Sequence, residues 1–155
     1  MARYFIEVGY EGTSFCGFQI QDGQETVQSV VSAALQTVLK ESIALTGSSR
    51  TDAGVHAKQN FFHFDTKLAV IGKHIYSMNA ILPPTVVVHH IYLVASEAHA
   101  RFDALSRTYT YTVTASAAAT DRFTTSSTSG MVAGMSVRFT GTTFGGVFTD
   151  RKSVV

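Results

Sequence analysis

The sequence predicts a single α+β lobe of the split βαβ, ferredoxin-like kind: an antiparallel sheet with two helices on one face, followed by an irregular Ser/Thr/Gly-rich tail. Three observations lead there. Apolar residues alternate at period two near the start of the chain and again around residue 60, which makes those stretches strands. Two stretches of helical period lie between strand patterns, so each links one strand to another across the sheet. After Val113 the composition changes abruptly, and no Leu or Ile occurs beyond Leu105.

In "RYFIEVGY" (3–10), Tyr4, Ile6, Val8 and Tyr10 share one face, with Phe5, Glu7 and Gly9 opposite, so this is the first strand. "YEGTSFCGFQIQDGQE" follows with several glycines and no helical period, and reads as a loop with aromatic anchors. From Thr26, a good N-cap residue, Val27, Val30, Val31, Ala34, Leu35 and Val38 form an apolar stripe about three turns long. Ser42–Thr46 is expected as a short strand, and "HAKQNFFHFDT" as a longer one with Asn60, Phe62 and Phe64 opposite Phe61, His63 and Asp65. Ile71, Ile75, Met78 and Leu82 suggest a second helix, which Pro83 and Pro84 must end. "VVVHHIYLV" is expected as a buried strand and "SRTYTYTV" as a further one.

The 155 residues, 45% of them hydrophobic, suffice for one core but hardly for two domains of ordinary size. A formal net charge of +1 provides no bulk basic field, so any RNA partner must be recognised by local groups. Cys16 is the only cysteine, which excludes an intramolecular disulfide. The N-terminus alternates rather than running apolar, which predicts neither a signal peptide nor a membrane span and points to the cytoplasm. His63, His89 and His90 lie in strand patterns that send neighbours to opposite faces, a poor arrangement for a metal. From Ala115 to Val155, 24 of 41 residues are Ser, Thr, Gly or Ala, which leaves little for a core.

"LTGSSRTDAGVHA" (45–57) stands apart from this apolar background. Arg50 and Asp52 lie two positions apart, and an arginine close to a carboxyl group favours its ionised, nucleophilic form. Gly47 and Gly54 allow the main chain unusual angles and a bulky ligand close approach. A solvated ion pair in a turn, worth under about 1 kcal/mol, is the alternative for an arbitrary loop.

The wording of this loop closely resembles the signature of the tRNA pseudouridine synthase A family. Three further stretches agree in order and spacing: "YEGTSFCGFQIQ" with "TVQS", "NAILP" at 79–83, and "HARFDALSRTYTYTV" at 99–113, so the resemblance covers roughly residues 3–113. It implies isomerisation of uridine to pseudouridine in the anticodon stem-loop of tRNA. By resemblance, Asp52 is the catalytic aspartate, engaging the ribose either at C1′ or by taking a proton at C2′. Tyr109 matches the active-site tyrosine, which stacks on the extruded base and helps remove the C5 proton; a core-filling strand aromatic is the competing reading. Arg50 matches the arginine that enters the RNA stack when the target nucleotide flips out. Arg101 and Phe102 fall at cleft positions, with a structural ion pair as the alternative for Arg101. His56 either contacts RNA or caps the loop. No cofactor or metal is implied. The implied partners are tRNA and, in a homodimer, a second copy, with no membrane involved.

The expected organisation is an N-terminal catalytic lobe over 1–114 and a divergent or frame-shifted tail over 115–155, where the family's second lobe would begin. Read two bases further on, DNA permitted by "TDRFTTSSTSG" encodes an aromatic segment instead. Two other readings accompany the enzyme. One is a non-catalytic RNA-binding module stacking bases on Phe18, Tyr109 and Tyr111; the other is an inactive fragment of such an enzyme.

Overall fold

The alternation in the first strand is realised as β1 (Ala2–Tyr10), with Tyr4, Ile6, Val8 and Tyr10 all buried on one face. The structure, a computed structural model, describes residues 1–108, and one compact unit spans Met1–Leu105. Within it β1 is followed by a 3-10 turn (Gly12–Ser14), α1 (Val27–Leu39), β2 (Thr46–Gly47), β3 (Ala57–Thr66), α2 (Gly72–Ile81) and β4 (Val86–Val94). The sheet runs β2-β3-β1-β4 with every pairing antiparallel, the strand order of a split βαβ lobe. Among the described residues no helix is long and apolar enough to cross a membrane.

α1 starts where the sequence places it. Thr26 accepts from the Ser29 N–H, and Ser29 Oγ accepts from the Thr26 N–H, a reciprocal cap on "TVQS". Val27, Val31, Ala34, Leu35 and Leu39 are buried, and they meet Ile6, Val8, Phe62, Phe64 and Met78 in one core. The helix ends at Lys40, which takes the left-handed conformation (φ 54°) more often filled by glycine or asparagine.

Several expectations are corrected. The strand expected at Ser42–Thr46 is only Thr46–Gly47. Ile43 and Leu45 are buried, but their carbonyls accept from Gln36 and Gln28 of α1, so these groups are satisfied by the helix rather than by a strand ladder. Ile71 caps α2 with its side chain about half exposed, and Met78 is the helix's fully buried residue, so the apolar stripe is narrower than the spacing suggests. Among the described residues β4 is the last strand of the sheet, and it is half-buried rather than buried: Val86 and Val88 face the core, whereas Val87, Tyr92 and Leu93 are exposed. Its register slips between the pairs Glu7 with His90 and Val8 with Val88, which leaves His89 as the extra residue of a bulge. Asn79 fixes this bulge, its amide donating to the Val88 carbonyl (2.9 Å) and accepting from the Val88 N–H (2.8 Å). Of the further strand expected at 106–113, residues 106–108 carry no regular structure, and the rest lies outside the described residues.

Candidate functional site

The loop after β1 packs under the start of α1 through its main chain. The first two helical N–H groups, of Val27 and Gln28, donate to the carbonyls of Gly17 and Phe18, and Cys16 N–H donates to Glu25. Helix donors that would otherwise lack partners therefore hold the loop. Phe15 and Phe18 anchor it from below, Phe18 lying flat on Phe62 with ring centres 4.7 Å apart. Gln28 adds a bridge, accepting from Ile20 N–H while donating to Leu45.

The segment carrying Arg50 and Asp52 leaves β2 and is pinned to that first loop. Phe18 N–H donates to the Thr51 carbonyl (3.0 Å), and the Thr51 hydroxyl pairs with Tyr10 Oη (2.9 Å). Buried Asn60 is the hub beneath: its amide donates to Tyr10 Oη (3.1 Å), and its oxygen accepts from the hydroxyls of Ser48 and Ser49. Asp52 opens a turn closed by the Val55 N–H on its carbonyl, with Gly54 at φ 79°. Gly12 lies so close that a Cβ there would stand 2.0 Å from the Val55 carbonyl oxygen. Gly47 is needed for a similar reason, since its Cβ would meet the Phe18 ring at 2.4 Å.

Between the two loops lies a cavity of about 510 Å³, lined by Thr13 to Gln19, Gln21 and Arg50 to Ala53. Every lining residue belongs to "YEGTSFCGFQIQ" or "GSSRTDAGVHA". Two motifs that the sequence separates by about thirty residues thus form opposite walls of one concave site. A smaller cavity of about 150 Å³ adjoins it, with Phe18, Gln19 and Arg50 common to both and Arg101 on its far side.

Arg101 reaches that position on a turn docked against the sheet. Ala100 N–H donates to His63 Nδ1 (3.2 Å), and Arg3 donates to the Ala98 carbonyl while holding Asp65 through two bonds of 2.8 and 2.7 Å. Burial first, then the nearby His99 and Arg3, hold the His63 imidazole below its usual pKa, which suits a ring that must accept an N–H. His99 Nδ1 accepts from the N–H groups of Arg101 and Phe102, and its own N–H donates to Asp103, so "HARFD" closes on itself.

The structure brings Asp52, Arg50 and Arg101 together around the adjoining cavities. The strong ion pair among the described residues is Arg3 with Asp65 rather than Arg50 with Asp52. His56 is exposed just before β3, and Phe102 is exposed and stacked on His99; neither lines either of these two cavities. Tyr109 and Tyr111 lie outside the described residues. Phe18 is only 2% exposed, so it cannot stack a base as the binding-module reading requires. Sequence reasoning missed Tyr10, Asn60 and Gly12 as supports of the site. Asn60, a lone amide on the apolar face of a strand, was the available signal for the hub.

The family profile described as tRNA pseudouridine synthase matches residues 7–77, a span holding both walls of the larger cavity. This region is similar to the tRNA pseudouridine synthase family. The chain is 45% identical over 117 residues to the tRNA pseudouridine synthase A of Parabacteroides distasonis, covering 74% of this chain and 46% of the relative. It is 43% identical over 119 residues to that of Bacteroides thetaiotaomicron (74% and 43%), and 40% over 112 residues to that of a Staphylococcus aureus strain (72% and 42%). The chain therefore spans about half the length of the curated relatives it matches. Within the family region the shared wording gains physical meaning: "TVQS" is the cap of α1 and "NAILP" carries the clamp on the β4 bulge.

Proposed function

We propose that this chain carries the catalytic lobe of a tRNA pseudouridine synthase, acting on uridine in the anticodon stem-loop of tRNA. One observation carries the reading: Asp52 stands on the wall of a cavity formed wholly by the two family motifs, with Arg50 beside it. A volume of about 510 Å³ falls within the ~300–1,000 Å³ usual for small-ligand pockets, which admits an extruded nucleoside.

In this reading the Asp52 carboxylate engages the ribose, by attack at C1′ or by removing the C2′ proton, and the N1–C1′ bond breaks. The uracil turns in the pocket and forms the C5–C1′ bond as Asp52 leaves C1′, in the first route, or returns the proton to C2′, in the second; the C5 proton then leaves and N1 gains one, so the reaction is an isomerisation. Arg50 takes the place of the flipped base in the RNA stack. Arg101, His56 and Phe102, all exposed, contact the surrounding RNA, and Tyr109 is assigned the base-stacking role through the family resemblance alone. The lobe is assigned to residues 1–114 and the compositionally distinct segment 115–155 is treated apart. Assembly with a second copy and a cytoplasmic location, where tRNA is found, belong to the same reading through the family resemblance.

The test is conversion of uridine in unmodified tRNA by purified protein, compared with Asp52→Asn. Asp52 is exposed, so the substitution is expected to abolish conversion while changing stability by no more than about 0.5 kcal/mol. Undiminished turnover by the variant would refute the assignment.

A further inference from the structure

The two adjoining cavities differ in chemistry as well as size. The larger contains the Asp52 carboxylate and one arginine; the smaller is lined by Phe18, Gln19, Gln28, Leu45, Thr46, Gly47 and two arginines, Arg50 and Arg101, with no acid. Among the described residues neither guanidinium is paired with a carboxylate. Two arginines lining one recess concentrate positive charge there, and the planar N–H forks of arginine match phosphate oxygens.

Size points the same way. About 150 Å³ is the space of about five waters at ~30 Å³ each, well short of the ~300 Å³ lower bound for a pocket that encloses a small organic ligand. It suits a single tetrahedral anion with some of its hydration. The recess is also firm: Gly47 leaves no space beside the Phe18 ring, Gln28 is fixed at both ends of its amide, and the Arg101 turn is tied down by His63 and Arg3.

We infer that the Arg50–Arg101 recess is a phosphate subsite, holding the phosphodiester next to the nucleoside whose sugar and base occupy the Asp52 cavity. This rests on the reading given under Proposed function. Arg50, on the shared wall, serves both cavities; Arg101 serves the phosphate alone. The arrangement fixes the direction in which the RNA backbone crosses the site, because one linkage of the flipped nucleotide must leave toward Arg101.

The experiment measures affinity of the full chain for a labelled anticodon stem-loop by fluorescence anisotropy across a salt series. Loss of one phosphate contact lowers the slope of log affinity against log salt by about 0.7–0.9. Arg101→Gln is expected to show that drop with about tenfold weaker binding, while Arg101→Lys keeps the slope. A stem-loop with one neutral methylphosphonate linkage beside the target uridine should weaken binding to the wild type and leave Arg101→Gln no weaker than before. Inorganic phosphate serves as competitor: displacement only at concentrations that act through ionic strength supports an RNA linkage. Specific phosphate binding with no change in the RNA slope would identify a free-anion site and overturn the proposal, as would an unchanged slope in Arg101→Gln or no RNA binding by the wild type. Stem-loop binding with the expected slope change but no uridine conversion would refute the catalytic reading and leave the subsite standing.

Discussion

Gly12→Ala probes how the Asp52 loop is positioned without touching a group that faces the cavity. The added methyl would stand 2.0 Å from the Val55 carbonyl oxygen, 2.5 Å from its carbon and 2.9 Å from its nitrogen. Ordinary contact begins near 3.4 Å, so the backbone at Val55 must retreat by about 1.4 Å. No flexible side chain is available to absorb the clash. The Val55 N–H closes the turn on the Asp52 carbonyl, so the displacement is passed to Asp52 within one turn. The segment 52–56 is exposed and adds little to the core, so stability should fall by only about 1–3 kcal/mol, the usual range for overpacking. A misplacement of about 1 Å at a reacting group costs on the order of 100-fold in rate, and that is the expected loss in uridine conversion. Thermal melting and conversion of unmodified tRNA are to be measured on the same preparation, with amide hydrogen exchange over 52–56 as an activity-independent readout. Wild-type conversion together with unchanged exchange would show that the Gly12 contact does not set the position of Asp52.

Other expected outcomes follow from the same geometry. Asn60→Ala removes the bonds to Tyr10, Ser48 and Ser49 and should cost about 2–3 kcal/mol in chemical denaturation, and Tyr10→Phe about 1 kcal/mol; the double variant should be milder than additive, since both act on one network. Full additivity would dissolve the network. Gly47→Ala drives its methyl against a Phe18 ring stacked on Phe62 and should lower the melting temperature, because neither buried ring can move aside. The His63 pKa is lowered in the fold, so the unfolded chain takes up its proton first, near pH 6.5. Stability should therefore fall as pH drops below about 6.5, and His63→Gln should flatten that part of the melting profile; identical profiles would remove His63 as its cause. Asp65 adds a loss in the same direction at lower pH: Arg3 holds its carboxyl below the usual value, so its contribution is present above about pH 4 and lost on acidification, a loss that Asp65→Asn should abolish.

The elements that proved legible were those with a long, one-sided apolar pattern. β1 and β3 alternate cleanly because one face meets the helices, and α1 begins at Thr26 because a hydroxyl cap leaves a local trace. β4 misled for a physical reason: "VVVHHIYLV" is apolar enough for a central strand, yet only one face of it is buried and it is bulged at His89, which no local pattern records. Ile43 and Leu45 misled similarly, since their carbonyls are bonded by glutamines of α1 far away in sequence. At the site, Asp52 and Arg50 were legible through wording, whereas Asn60 and Tyr10 became meaningful only when β1 and β3 paired and set them beside Ser48, Ser49 and Thr51. The separation of Arg101 from Phe102, one lining the recess and the other stacked on His99, depends on a turn whose direction composition cannot express.

The first wall of the cavity is held largely by main-chain bonds: Cys16 to Glu25, Gly17 and Phe18 to the start of α1, and Phe18 to Thr51, with side-chain bonds from Gln21 and Gln28 beside them. Scaffold and lining are thereby decoupled. Exposed Thr13 and Gln19 can be exchanged without loosening the loop that presents them, whereas Gly12, Gly47 and Phe18 cannot, and Gln21 and Cys16 carry side-chain bonds to the Cys16 carbonyl and to Gln24. This gives the site a built-in capacity to diversify: variation at the two wall positions Thr13 and Gln19 would retune what the cavity admits while Asp52 stays in place. A randomised library confined to those positions should consequently yield mostly folded proteins, with their differences concentrated in substrate choice.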